Sequence, residues 1–124
     1  MEKNKYVGKI DDLAQVDVSD FIPNAEKRIV FGPGQYWDSH VMRCFKLNPG
    51  SVAPPNMHPW EHQALCVGGK GKFVIDKIEY DIEQGYYMHV PSNIGHTFWN
   101  TSETEPLIII CIVPKEGDRN PLYC

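Results

Sequence analysis

The chain has 124 residues and a formal net charge of −4, which allows one compact domain and no basic stripe of the kind that grips nucleic acid. Hydrophobic residues make up 42%, ordinary for a globular protein, and no apolar run approaches the roughly 20 residues that span a bilayer. Cys44, Cys66, Cys111 and Cys124 lie far apart with no Cys-x-x-Cys pair, so neither a disulfide framework nor a zinc knuckle is indicated and reduced thiols are expected.

The N-terminus, MEKNKYVGKIDD, is charged and lacks an apolar signal core, which argues for a cytoplasmic protein. Residues 1–26 are polar and irregular. They read as an arm that packs on the rest of the chain or on a partner subunit, with a short strand at Lys5–Ile10 and a turn at Phe21–Asn24. Residues 27–124 read as a single domain. Short apolar runs follow one another there: Lys27–Phe31, His40–Leu47, His62–Val67, Lys72–Ile75, Ile78–Asp81, Tyr86–Val90, His96–Trp99 and Leu107–Val113. Turn signals separate them, among them Gly32-Pro33-Gly34, Asn48-Pro49-Gly50, Gly68-Gly69, Asp76-Lys77 and Pro91-Ser92-Asn93. Short β-branched and aromatic runs, punctuated in this way and without a helical period, predict an all-β sandwich, jelly roll or barrel.

The run Leu107–Val113, LIIICIV, is apolar on both faces and needs cover on both. One face can fill a barrel. The other calls for a second copy, giving a homodimer, or for the chain's own N-terminal arm.

The histidines carry the chemistry. His58 and His62 sit close together in a Pro-rich stretch, and His96 follows a Pro-Ser-Asn-Ile-Gly turn. Nitrogen donors that converge on one point suit Zn, Fe, Ni or Cu. With the two-residue period of a strand, His62, Ala64 and Cys66 share one face, and so do His96, Phe98 and Asn100. Small Ala64 and Cys66 leave room beside an ion. Phe98 is expected to wall a pocket, and Asn100 to bond a loop. His40 and His89 lack such context and read as structural.

The spacing around these residues resembles the two motifs of a single-domain cupin. Gly50 is followed by five residues, then Asn56-Met57-His58, three more residues, His62, six residues and Gly69. Gly85 is followed by five residues, then Pro91-Ser92-Asn93, two residues, His96, three residues and Asn100. The HPWEH element and the closing PKEG also resemble the small manganese-binding cupins of bacteria and archaea. The resemblance implies a double-stranded β-helix, that is, a jelly-roll β-barrel, with one divalent metal ion per chain. Fe2+ or Mn2+ comes first and Zn2+ or Ni2+ after them. It makes His58, His62 and His96 the ligands.

Three positions depart from the family pattern. Asn56 stands where a His ligand is usual and is expected to bind weakly or to act from behind the ligands. His62 stands at the carboxylate position, and Glu61, one residue short of it, is expected at the surface or behind the ligands. Asn93 replaces a turn Gly, which Asn tolerates. An ion without a carboxylate keeps its full charge, which favours an anionic substrate.

Arg43 shares a face with Val41, Phe45 and Leu47, so it is expected inside the barrel, where a guanidinium needs a partner. A substrate carboxylate is one candidate. An internal Asp or Glu, or the barrel mouth itself, is the other. Cys111 on the last strand joins Arg43 and Phe98 as an expected pocket residue. No catalytic base is evident: Tyr86, Tyr87 and Glu61 are unplaced. The reading is a metal-dependent enzyme for a small, oxygen-rich, anionic metabolite, without nucleic-acid or membrane partners. Its chemistry is either dioxygenase-like or a Lewis-acid isomerase or lyase reaction on a sugar acid. The alternative is a non-enzymatic metal- or ligand-binding sensor or store.

Overall fold

A computed structural model describes residues 6–118. Among these the strands are β1 Gln15–Val16, β2 Ala25–Phe31, β3 His40–Leu47, β4 His62–Gly68, β5 Lys70–Ile75, β6 Ile78–Glu83, β7 Tyr87–Val90, β8 His96–Asn100 and β9 Leu107–Pro114, with 3-10 turns at Ile10–Asp12 and Lys115–Asp118. The eight apolar runs are β2 to β9. The strands form a six-stranded sheet, β1-β2-β3-β9-β4-β7, and a three-stranded sheet, β6-β5-β8. Every pairing between them is antiparallel. The fold is a jelly-roll β-barrel, and among the described residues no helix is long and apolar enough to cross a membrane.

Inward residues alternate along each strand, and Phe45, Phe73, Phe98, Leu47, Leu107 and Ile109 are fully buried between the sheets. Phe73 and Phe98 face each other in register on β5 and β8, with ring centroids 5.2 Å apart and planes 5° from parallel. The β5–β6 hairpin closes through Asp76 and Lys77, at φ 53° and 66°. Two central residues in the left-handed region are the primed turn that matches strand twist. Asn100 fastens the long β8–β9 loop. Its Nδ2 donates to the carbonyls of Leu47 and Glu105, each at 2.8 Å, and its Oδ1 accepts from the Ser102 amide.

The N-terminal segment differs from the expectation. The described part of Lys5–Ile10, from Tyr6 on, is not a strand; Lys5 lies outside the described residues. Tyr6 and Val7 are exposed, and among the described residues that stretch pairs with no strand. Pairing starts later, where Gln15 and Val16 meet Arg28 and Lys27. Val18 and Ile22 then enter the core. The outer face of β9 is covered unevenly. Ile110 is buried beside Cys44, whereas Leu65 and Val67 on the β4 side are about half exposed.

Close backbone approach gives Gly71 a definite role. A Cβ there would run into the Trp99 carbonyl oxygen and come within 2.8 Å of Leu107 Cδ2. Gly71→Ala should cost about 1–3 kcal/mol, the usual price of overpacking. Gly95→Ala, where a Cβ meets nothing within 4 Å, should stay within about 0.5 kcal/mol of the parent. Urea midpoints for the two variants check this contrast.

Candidate metal centre

The segment after Gly50 is too rich in Pro to be a regular strand, yet it runs beside β8. Ala53 N–H donates to the Phe98 carbonyl at 2.9 Å. Asn56 and His96 exchange two backbone hydrogen bonds, at 2.8 and 2.9 Å. Proline removes donors from the ladder, so contact is intermittent: the bridges are Val52 to Trp99 and Asn56 to His96. This irregular pairing brings His58 to His96. The Asn93 amide then donates to the His58 carbonyl at 2.7 Å, tying the loop to the turn before β8. Asn93 itself is left-handed, at φ 60°. His62 opens β4 opposite Val90 of β7 and points inward.

The three imidazoles meet. Their ligand atoms lie within 4.8 Å of one another, and all three residues are buried. Ring centroids are 4.8 Å apart for His58–His96, 5.4 Å for His62–His96 and 5.9 Å for His58–His62. His58 Nδ1 lies 3.0 Å from the Trp60 carbonyl and His96 Nδ1 lies 3.2 Å from the Ile94 carbonyl. A carbonyl only accepts, so both rings carry their proton on Nδ1, which makes Nε2 the lone-pair donor in each. Such outer bonds orient metal-binding histidines.

Among the described residues, neither ring nitrogen of His62 has a hydrogen-bond partner, although both are buried. An orphaned buried imidazole costs about 1–3 kcal/mol; an ion on its lone pair would satisfy one of the two nitrogens. Burial, then the positive charge of Arg43, then His96 and His58 hold its pKa well below the ordinary value of 6.5. The ring is therefore neutral, the form that binds metals. By these tests the three residues fit a divalent ion.

Asn56 places its side-chain oxygen 3.0 Å from the Met57 amide, which donates to it. Glu61 is exposed and faces His89 at 3.8 Å. Gln63 Nε2 lies 3.2 Å from the other nitrogen of His89. His40 stacks on Trp37 with centroids 5.0 Å apart. Tyr86 and Tyr87 are exposed. Phe98 lies in the core two residues along the inward face from His96. Cys111, also buried, sits in register between Arg43 and Ala64. Arg43 is fully buried, with Nη1 3.1 Å from Asp118 Oδ1.

Three residues were missed by sequence reasoning. Trp60 stacks on His58, with centroids 4.8 Å apart and planes 8° from parallel. Lys27 is buried and reaches the same Asp118 oxygen at 2.9 Å. Asp118 pairs across 91 and 75 positions with Lys27 and Arg43, a separation that local patterning does not signal.

The His62 shift has a pH consequence. The unfolded chain takes up a proton below about pH 6.5 that the folded metal-free protein refuses. Stability from this group is therefore full above that pH and declines below it, by up to about 1.4 kcal/mol per pH unit. Urea midpoints of metal-free protein between about pH 7 and pH 5 should show the decline, and His62→Leu should flatten it.

Comparison with known proteins agrees with this geometry. A family model described as a cupin domain matches residues 43–113, more than half of the chain. No curated protein matches the sequence. Among solved structures, the polyketide cyclase RemF from Streptomyces resistomycificus is similar at 17% identity, with TM-score 0.78 over 90% of this chain and 80% of that one. A predicted oxalate decarboxylase from Thermotoga maritima is similar at 18% identity, with TM-score 0.76 over 87% and 97%. KdgF from Halomonas sp. follows at 20% identity, with TM-score 0.69 over 84% and 90%. At these identities the structures speak for the fold alone. With the family model, the two motifs and the barrel in agreement, the chain belongs to the cupin family.

Proposed function

We propose that this cupin is a metal-dependent enzyme acting on a small, oxygen-rich anionic metabolite. The observation that carries the reading is the meeting of three buried imidazoles, one of them with both ring nitrogens unpartnered, in a barrel that also encloses the guanidinium of Arg43. His58, His62 and His96 would hold the ion. When bound, a divalent ion supplies Lewis-acid polarisation of a substrate oxygen, or dioxygen chemistry if it is iron. Neutral ligands leave the charge of such an ion undiminished, and Arg43 adds to it, so the site's field selects anions. Trp60 stacks on His58, and Gly117 of the turn Lys115–Asp118 packs under its indole, so His58 is covered on that side.

The same cover over His58 favours a second reading, a store or sensor that holds its ion without turnover.

Protein purified without a histidine tag should carry about one metal ion per chain by elemental analysis, and His96→Ala should lose most of it. Equal metal content in that variant would remove the site from this place. Oxygen consumption by iron-loaded protein with a panel of diketones, thiols and hydroxy acids then separates the chemistries. Turnover that persists without oxygen selects Lewis-acid catalysis. Full metal loading without turnover of any member of the panel favours the store.

A further inference from the structure

Lys27 and Arg43 are among the largest fully buried side chains, and both are cations. They occupy adjacent strands, with Lys27 opposite Phe45 and Arg43 opposite Ile29. Each lies over the Phe45 ring, at 5.7 Å for Lys27 Nζ and 5.3 Å for Arg43 Cζ. Both hold the same atom, Asp118 Oδ1. From Arg43 the row continues across the sheet through Cys111 to Ala64, two residues along the inward face from His62. Arg43 therefore stands close enough to His62 for its positive charge to act on that ring, and Lys27 lies one row beyond it, opposite Phe45.

The carboxylate does not come from the barrel wall. Asp118 ends the short turn Lys115–Asp118 that follows β9, and its side chain is 18% exposed while those of its partners are 0% and 2%. The same turn presses Gly117 under Trp60, where a Cβ would come within 2.7 Å of the indole Nε1. Trp60 in turn stacks on His58. One turn thus runs from the cation pair to the cover of the histidines.

We propose that Lys27 and Arg43 form a carboxylate-binding subsite beside the metal centre, and that Asp118 is a resident carboxylate which an incoming substrate carboxylate displaces. This rests on the reading of the site as one for a small anion, and it names the class: a compact acid with a second oxygen function for the metal. Two buried cations without an anion would carry a heavy desolvation cost, so the subsite is always filled by some carboxylate. Exchange of one carboxylate for another conserves charge and hydrogen bonds. The intramolecular one has the advantage of local concentration, but it is held on a single turn, the kind of unit that opens at low cost. The planar fork of Arg43 suits a carboxylate that presents both oxygens. Departure of Asp118 draws Gly117 from beneath Trp60, which opens the side of the site next to His58.

The test uses protein stripped of metal, with malonate as probe and neutral malonamide as control, followed by calorimetry. Asp118→Asn should bind malonate about tenfold more tightly than the parent, because the competing carboxylate is gone. Lys27→Met added to Asp118→Asn should cancel that gain, and malonamide should bind neither protein. Malonate affinity that is unchanged or weaker in Asp118→Asn overturns the proposal. If that variant does not fold, hydrogen exchange on the parent chain decides. Saturating malonate should speed exchange at residues 115–118, and unchanged exchange there overturns displacement. Neither measurement needs metal or turnover, so a negative result leaves the metal-dependent reading intact. Equally, loss of metal in His96→Ala does not touch the malonate result.

Discussion

Two backbone hydrogen bonds between Asn56 and His96, backed by one from the Asn93 amide to the His58 carbonyl, hold the site together. They join a loop that cannot be a full strand to one that is, and so bring His58 beside His96. The prolines in 50–59 keep the loop from becoming a regular ladder, and so leave its end free to swing His58 inward. Regular pairing along the whole segment would impose the two-residue alternation on it and take that freedom away. The third histidine arrives differently, as the first residue of a strand whose pairing with β7 sets which way it faces. A loop, a strand entry and a second strand entry thus meet at one end of the barrel.

That end is also where the chain accepts its largest electrostatic cost. The interior holds an imidazole without a hydrogen-bond partner and two buried cations, where a core made for stability alone would hold aliphatic groups. The aromatic core lies further along the inward faces, in Phe45, Phe73 and Phe98. Phe45 belongs to both regions, since its ring lies under the two cations and packs among the apolar residues. Apolar packing thus dominates one part of the interior, and buried polar groups are gathered in another.

Much of this was legible in the residues. The eight main strands are punctuated by Gly, Pro, Asn and Asp, and each run was short enough to leave no other reading. The choice of His62 over Glu61 rested on one residue of register, and in the structure His62 is buried while Glu61 is exposed. What was not legible had physical causes. Lys27 stands in the polar run AEKR, which looks like a solvated edge. Its burial depends on a carboxylate 91 positions away. Arg43 was placed inside by its apolar neighbours, but its partner Asp118 lies in a charged stretch near the chain end that carries no periodic signal. The strand expected at Lys5–Ile10 is absent from its described part for a similar reason. Tyr6, Val7 and Ile10 are apolar enough to suggest a strand, yet β pairing is decided by what lies alongside, and the core contacts fall instead to Val18 and Ile22.

The acceptors that orient His58 and His96 are peptide oxygens, those of Trp60 and Ile94. No side-chain replacement can delete a main-chain carbonyl. The protonation pattern of two of the three imidazoles is therefore written into the path of the chain and is insulated from drift at neighbouring positions. Only His62 lacks this protection, so evolutionary retuning of the centre would act first through whatever surrounds that one ring.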